Sequence, residues 1–199
     1  MSRSAQLSRR TGETDVSVAV DLDGGGTEAA IATGVGFFDH MLHLLARHGG
    51  LGLQVAVTGD LETGAHHTVE DTGIVLGQAL GRALGDRAGI RRYGHAVVPM
   101  DEARALCALD LSGRPFCAFG GVPLPPGELG GFEHEAAEEF FRAVASGARA
   151  TLHLEVQAGT NAHHMIEACF KACARALRVA VSLDPEETGV PSTKGTLTA

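Results

Sequence analysis

The alternation of hydrophobic and polar residues near the start of the chain predicts its first elements. Every second residue is apolar at positions 16–22, and a period of two predicts a strand with one buried face. The glycine-rich segment 23–26 predicts a hairpin turn into a second strand at 27–33, because glycine accepts the positive φ angles of tight turns. Residues 1–12 are mostly polar and are predicted to be loosely held.

Two later stretches of the first half carry apolar residues at helical spacing. One runs from 37 to about 48, and the other runs from 66 to about 85, with an alternating strand at 53–58 between them. The second half repeats this order. Its predicted elements are strands at 95–98, 105–111 and 116–119, a helix at 134–145, a strand at 151–157 and a helix at 163–183.

The repeated order predicts an internally duplicated α+β domain, in which each half is a β-sheet with two helices on one face. The repeats are placed at approximately 12–90 and 91–184, within a single domain. Proline and glycine residues in 185–199 predict an extended C-terminal arm. Within the arm, residues 192–194 belong either to a disordered end or to a segment that reaches an anionic ligand.

One motif occurs in both halves. The pentapeptide HHTVE (66–70) returns 97 residues later as HHMIE (163–167). On a helix, the first histidine and the glutamate of each copy lie one turn apart, while adjacent histidines diverge by roughly 100°. A single copy is more often a surface or helix-end feature. Two matched copies instead favour metal binding, with each copy contributing to two neighbouring ions.

The donor atoms of this motif limit the choice of metal. Imidazole nitrogens and carboxylate oxygens without thiolate favour manganese, iron or another octahedral divalent ion over structural zinc. His40 lies 26 residues before His66, and Glu139 lies 24 residues before His163. Both are therefore candidate further ligands from the preceding helix of each half, although His40 is equally explained as a polar helix residue beside Asp39.

Composition limits the class of protein and its partners. The 199 residues are 44% hydrophobic, and no apolar run approaches the roughly 18 residues that span a bilayer. We therefore expect a cytoplasmic protein that binds no membrane. The net charge of −8 argues against a nucleic-acid partner. The cysteines are expected to be small buried hydrophobes instead of zinc ligands or a disulfide: Cys107, Cys117, Cys169 and Cys173.

Three cations stand beside turn residues, where side chains are placed on loops. They are Arg92, Arg114 and Lys194. Together they could clamp a phosphate group, which prefers guanidinium and ammonium donors. Each one alone is better explained as a solvated charge.

Several motifs, spread over the whole chain, carry a resemblance to a known family. They are Glu13-Thr14-Asp15, FFDHML (37–42), HHTVED (66–71), Arg92-Tyr93-Gly94, PMDEA (99–103), DLSGRP (110–115), TLH (151–153), GTNAHHMIEACFKA (159–172) and PSTKG (191–195). In these motifs the chain resembles the imidazoleglycerol-phosphate dehydratases. The resemblance implies a duplicated fold of the ribosomal-S5-domain-2-like type. It also implies a hydro-lyase of histidine biosynthesis, which converts D-erythro-imidazole glycerol phosphate to imidazole acetol phosphate and water.

The resemblance further implies a cofactor, an assembly and a set of site residues. Two Mn²⁺ ions per active site are expected, with other divalent ions possible, in a shell of twenty-four subunits made of trimers that share active sites. A monomer should be inactive. One ion would take His40, His66, His163 and Glu167, and the other would take His67, Glu70, Glu139 and His164. Arg92, Arg114, Ser192 and Lys194 resemble the phosphate-binding set, and His48 resembles another substrate contact. The expected catalytic residues are Glu13, near the reacting carbons, His66 and His163.

The implied mechanism explains the need for two metals. The proton to be removed is not next to a carbonyl, so an ordinary base is too weak to take it. Metals on both ring nitrogens would hold the substrate as an imidazolate, which expels the C3 hydroxyl. The resulting diazafulvene-like intermediate would lose its C2 proton and tautomerise to the ketone.

Two departures from the family pattern affect the expected site. Glu139 stands where many members have histidine, and carboxylate can replace imidazole as a manganese ligand. Gly64 stands where the family usually has aspartate. If that aspartate supports a metal ligand, metal affinity or rate should fall without loss of the fold.

Two other functions fit the same motifs. A metal-dependent hydrolase of a different phosphorylated substrate would use similar ligands. A shell-forming or metal-holding relative without full activity would account for Gly64. Product analysis separates both from the dehydratase.

Overall fold

The computed structural model describes residues 2–26 and 29–197. Its strands are β1 (Ser4–Arg10), β2 (Thr14–Asp21), β3 (Ala29–Ala32), β4 (Gly52–Gly59), β5 (Tyr93–Met100), β6 (Ala103–Asp110), β7 (Phe116–Gly121), β8 (Glu128–Leu129), β9 (Phe132–Glu133) and β10 (Thr151–Ala158). Its α-helices are α1 (Gly36–Gly49), α2 (His66–Leu84), α3 (Ala136–Ala148) and α4 (Ala162–Val181), and a short 3-10 helix spans Leu61–Thr63. None of these helices is long and apolar enough to cross a membrane.

The two four-stranded sheets have the same topology. The first has the order β1-β2-β4-β3, and the second has the order β5-β6-β10-β7. In each sheet the first three strands are antiparallel and the last pair is parallel. Each parallel pair is connected through a helix, α1 in the first half and α3 in the second. This confirms the predicted duplicated α+β fold.

The helices cover one face of each sheet and pack against each other. Helix α2 lies on β1 and β2, and α4 lies on β5 and β6, while α2 contacts α3 and α1 contacts α4. Aromatic side chains from both repeats meet in this layer: Phe38 and Phe140 lie 5.3 Å apart between ring centroids, and Phe141 and Phe170 lie 4.7 Å apart. One shared core therefore fixes the positions of the four helices relative to each other.

Glycine allows α2 and α3 to approach closely. A Cβ atom on Gly77 would lie 2.5 Å from the carbonyl oxygen of Val144, and one on Gly147 would lie 2.6 Å from that of Ile74. These distances are shorter than van der Waals contact. The absence of side chains at both glycines therefore brings the backbones of the two repeats together.

Two predictions for the start of the chain were wrong. Ser4–Arg10 is not loosely held, because it pairs with β2 along its whole length and Arg9 forms an ion pair with the buried Asp71. The first repeat therefore begins before residue 12. The predicted hairpin after β2 does not form either, since β2 is already paired on both sides, by β1 and β4, and β3 pairs with β4 in parallel. Positions 27–28 of the predicted second strand lie outside the described residues.

The C-terminal arm is attached to the rest of the fold. The backbone N–H of Gly89 donates to the carbonyl of Gly189 over 2.8 Å, and Arg92 donates to the carbonyl of Pro191 over 2.8 Å. Leu197 is buried against Gly113. Through residue 197, the arm is therefore an ordered extension that passes the predicted phosphate-binding residues.

Candidate metal centre and active site

Both histidine pairs lie in the first turn of a helix. Helix α2 begins at His66, and α4 begins one residue before His163. The side chain of Asn161 caps α4 by accepting hydrogen bonds from the backbone N–H groups of His163 (2.9 Å) and His164 (3.3 Å). The start of each helix thus places a histidine pair at a helix end, where the side chains reach beyond the packed core.

A compact cluster forms where α1 meets α4. The Oε2 atom of Glu167 lies 3.0 Å from Nε2 of His163 and 3.3 Å from Nε2 of His40. The three ligand atoms lie within 4.8 Å of one another. Glu167 is 8% exposed, whereas the two histidines are 40% and 48% exposed. The carboxylate of the cluster is therefore buried, whereas the side formed by the two histidines is open to solvent.

Lys171 determines how Glu167 is used. Its Nζ atom forms an ion pair with Oε1 of Glu167 and leaves Oε2 for the two histidines. Burial alone would raise the pKa of Glu167, but hydrogen bonds from Lys171, His163 and His40, with the positive charge of Lys171, lower it overall. A lowered pKa favours the charged form of the carboxylate, whose oxygens can bind a metal ion.

The first histidine pair is held differently. His66 Nε2 lies 3.8 Å from Oε2 of Glu70, and both side chains are largely exposed. His67 Nδ1 lies 3.0 Å from a carboxylate oxygen of Asp60, and its Nε2 faces Glu13 at 4.0 Å. The hydrogen bond to Asp60 raises the pKa of His67.

His164 has an environment like that of His67. Its Nδ1 lies 2.7 Å from Oε2 of Glu102, and its Nε2 faces Asp101 at 3.7 Å. The other oxygen of Glu102 accepts hydrogen bonds from the backbone N–H groups of Asn161 (2.8 Å) and Thr160 (3.2 Å). The hydrogen bond with His164, followed by these backbone bonds, lowers the pKa of Glu102 to about 2.

Within one chain, only part of the predicted ligand set comes together. In the ranges 2–26 and 29–197, His40, His163 and Glu167 form the one group of three potential ligands with mutually close donor atoms. The other predicted ligands lie outside it: His66, His67, Glu70, Glu139 and His164. Glu139 instead faces Arg142 at 3.8 Å on its own helix. Within one chain, the predicted ligands therefore lie in separate groups.

The predicted phosphate-binding residues lie around Asp110 and the C-terminal arm. Arg92 makes two bonds to the carboxylate of Asp110, at 2.7 and 3.1 Å, and the exposed Arg114 lies 3.8 Å from the same carboxylate. Ser192 follows the residue whose carbonyl binds Arg92, and its Oγ accepts from the backbone N–H of Lys194 at 3.2 Å. The fold therefore brings Arg92, Arg114 and Ser192 to one region.

His48 lies at the end of α1 near basic residues of α4. Burial lowers its pKa, and the positive charges of Lys171, Arg175 and Arg47 lower it further. Lys171, whose charge acts on His48, is also the ion-pair partner of Glu167. A neutral His48 can both donate and accept a hydrogen bond.

Comparisons with known proteins decide the family. The family model described as Imidazoleglycerol-phosphate dehydratase matches residues 33–177. The dehydratase of Moorella thermoacetica is 56% identical over 99% of this chain and 100% of its own length. That of Jannaschia sp. is 55% identical over 98% of this chain and 100% of its own. The chain belongs to the imidazoleglycerol-phosphate dehydratase family.

Solved structures of this family have the same fold. The imidazoleglycerol-phosphate dehydratase of Staphylococcus aureus matches with a TM-score of 0.81 and 40% identity, covering 91% of this chain and 99% of that one. The Pyrococcus furiosus dehydratase, in complex with (S)-C348, matches with a TM-score of 0.82 and 38% identity over 96% and 100% of the two chains. As a member of the family, the chain is a hydro-lyase of histidine biosynthesis.

Gly64, which departs from the dehydratase pattern, lies where glycine is required. Its φ of +106° and ψ of 176° belong to a region that is essentially restricted to glycine. A Cβ atom there would lie 2.7 Å from Oε1 of Glu133. Both carboxylate oxygens of Glu133 lie 3.3 Å from the backbone nitrogen of Ala65, the residue before α2. A carboxylate from the second repeat therefore accepts the backbone N–H of the residue that precedes the helix with the first histidine pair.

Replacing Gly64 by aspartate, the residue that the family resemblance leads us to expect there, should destabilise this chain. We expect Gly64→Asp to lower the free energy of unfolding by about 1–3 kcal/mol, because of the strained backbone. The displaced Glu133 carboxylate adds to this loss. Chemical denaturation measures the change, with Gly12→Asp as the control, since Gly12 has open space around its Cβ position. A Gly64→Asp variant as stable as the wild type would contradict this explanation.

Sequence reasoning missed three residues that hold the predicted ligands: Asp60, Glu102 and Lys171. Lys171 had a local signal, because it lies four residues after Glu167 on the same helix. Glu102 occurs in the PMDEA motif but is 62 positions away from His164. Asp60 lies in the loop after β4. Sequence periodicity describes neighbours within one helix or strand, so it cannot predict the contact between this loop residue and His67 on α2.

Proposed function

We propose that this dehydratase acts as a dinuclear manganese enzyme, with half-sites contributed by neighbouring subunits. The observation that carries the proposal is the shared oxygen of Glu167, which lies within 3.3 Å of imidazole nitrogens from two helices. The donor set is nitrogen and oxygen without sulfur, which fits Mn²⁺. Nε2 of His163 and Nε2 of His40 both face this oxygen.

The residues that would hold two ions follow from the duplicated motif. His40, His66, His163 and Glu167 would hold one ion, and His67, Glu70, Glu139 and His164 would hold the other. When bound, the two ions would fix the imidazole ring of the substrate and tune its electrons for loss of the hydroxyl group. Some of these ligands are separate within one chain, which supports their assembly from different subunits.

The chain's own residues have four further tasks. Glu13 lies 4.0 Å from Nε2 of His67 and is well exposed, so its carboxylate can take and return a proton at the reacting carbons. His66 and His163, one from each repeat, would hold an ion that binds the ring. His48 contacts the substrate beside them. Asp110 holds Arg92 in a fixed orientation, ready for the phosphate group.

We further propose that the active enzyme is a homo-oligomer of trimers that form a twenty-four-subunit shell. The exposed half-site of His66 and Glu70 supports this, because two ligands without a third are a poor metal site. The cytoplasm is the proposed location, since all four cysteines are free thiols, as is typical of a reducing compartment.

The phosphate group is proposed to bind Arg92, Arg114, Ser192 and Lys194. Arg114→Ala should raise KM for the substrate about tenfold to a hundredfold, the loss of one charge-assisted hydrogen bond, with little change in kcat. The measurement is steady-state kinetics. Arg104→Ala is the matched control, because Arg104 is an exposed arginine on β6 that binds Gln157 instead. An unchanged KM for Arg114→Ala would contradict its place in the phosphate site.

The function is tested by incubating the purified, manganese-loaded chain with D-erythro-imidazole glycerol phosphate. Formation of imidazole acetol phosphate in proportion to enzyme and manganese is the expected result. Release of inorganic phosphate without the acetol product would instead identify a phosphoester hydrolase. Bound manganese and assembled protein without either product would identify an inactive relative.

A further inference from the structure

The second histidine of each pentapeptide is held by a carboxylate at the same ring atom. Nδ1 of His67 lies 3.0 and 3.2 Å from the two oxygens of Asp60, and Nδ1 of His164 lies 2.7 Å from Glu102. Asp60 follows β4, whereas Glu102 lies in the turn between β5 and β6. The two repeats thus reach the same arrangement from different elements.

This arrangement determines which ring nitrogen is available. An ionised carboxylate only accepts hydrogen bonds, so Nδ1 must carry the proton that it binds. In a neutral ring, Nε2 then has the free electron pair. Nε2 of His67 lies 4.0 Å from Glu13, in the turn between β1 and β2, and Nε2 of His164 lies 3.7 Å from Asp101, in the turn between β5 and β6.

We propose that Asp60 and Glu102 are positioning residues, which fix the Nδ1–H tautomer of His67 and His164 so that each Nε2 is a metal donor. The inference rests on the proposed manganese site. It assigns to these carboxylates the task of orienting a ligand, as partners of metal-binding histidines commonly do.

The two carboxylates respond differently to amide substitution. The Oε1 atom of Glu102 accepts two backbone N–H groups, from Asn161 and Thr160. In Glu102→Gln the amide oxygen stays with these donors, and the NH₂ group faces Nδ1 of His164. That group can only donate, so it forces the proton onto Nε2 and blocks metal binding there.

Asp60→Asn is expected to be mild. Both oxygens of Asp60 are near Nδ1 of His67, and the other side-chain partner is the hydroxyl of Thr63, which can donate or accept. Asparagine can therefore turn its oxygen towards the ring. Asp60→Ala cannot, and Glu62→Ala is its control because Glu62 is an exposed acid nearby, in the 3-10 helix Leu61–Thr63.

The experiment titrates Mn²⁺ alone into each purified protein and measures free Mn²⁺ by electron paramagnetic resonance. The site concerned is the proposed one of His67, Glu70, Glu139 and His164. We expect Glu102→Gln to lower its affinity for Mn²⁺ about 10-fold to 100-fold, and Asp60→Ala to lower it about 10-fold. Asp60→Asn and Glu62→Ala should stay within about threefold of the wild type, far below the loss seen when such a partner is removed. Thermal unfolding of the metal-free proteins is measured in parallel.

The order of the Glu102 variants separates orientation from simple structural support. Glu102→Ala loses the two backbone hydrogen bonds, so it should unfold at a lower temperature than Glu102→Gln. It should nevertheless bind Mn²⁺ more tightly than Glu102→Gln, because water can accept from Nδ1. If manganese affinity instead follows thermal stability across the variants, the proposal is wrong. A wild-type chain that binds no Mn²⁺ would overturn both this proposal and the manganese enzyme itself.

Discussion

Glu167→Gln should abolish the His40–His163 metal site and lower kcat/KM by at least about a hundredfold, more than the loss of an outer partner. The reason lies in the two different partners of the carboxylate. Lys171 binds Oε1, and the histidines share Oε2. In glutamine the amide oxygen will remain with Lys171, so that the NH₂ group faces the two Nε2 atoms and cannot bind a cation.

Metal content and steady-state kinetics test this prediction together. Glutamine has the shape of glutamate, so the variant should retain its fold, which circular dichroism can verify. Glu155→Gln is the matched control, because Glu155 is exposed on β10, away from the helix layer. A Glu167→Gln enzyme with full metal content and near-normal turnover would show that Glu167 is a structural residue only.

Mixing two inactive variants should restore activity if neighbouring subunits complete each other's sites. We call the predicted ligands on α2 (His66, His67 and Glu70) the α2 half-site, and those on α4 (His163, His164 and Glu167) the α4 half-site. His66→Ala removes a ligand from the first, and His163→Ala removes one from the second. In a mixed assembly, an intact α2 half-site of one chain can meet an intact α4 half-site of another. We expect each variant alone to be inactive and the co-assembled mixture to recover a clear part of wild-type turnover.

The control for this experiment uses two lesions in one half-site. His66→Ala mixed with Glu70→Ala leaves every α2 half-site defective, so this mixture should stay inactive. Native mass spectrometry shows whether chains have mixed in both samples. Mixed assemblies of His66→Ala and His163→Ala without recovered turnover would place the complete site within a single chain.

The sequence was sufficient to predict the duplication and the helices that carry the histidine pairs. These features depend on local periodicity and on a motif that occurs twice. The sequence did not predict β1. The polar Arg9 on this strand pairs with the buried Asp71, which lies far along the chain, so no local pattern marks the strand. The sequence also failed for the connection after β2, since the pairing of β3 with β4 depends on which sheet edge is free.

The candidate site was predictable only in part, for a related reason. His40, His163 and Glu167 meet because α1 packs on α4, an outcome of the shared phenylalanine core. The carboxylates of Asp60 and Glu102 are loop residues, and their distances from the histidines are set by the whole fold. In the single chain the side chain of Glu139 lies beside Arg142 and not beside another predicted ligand. Its role as a metal ligand therefore stays a prediction.

The central claim is that two repeats together hold a pair of cations. It is tested most directly by anomalous X-ray diffraction at the manganese edge, from crystals of the assembled protein grown with Mn²⁺. We expect two manganese peaks per chain, one at Nε2 of His40 and His163 with Glu167, and one at Nε2 of His67 and His164. A single peak bound by one repeat, or none at saturating Mn²⁺, would contradict it.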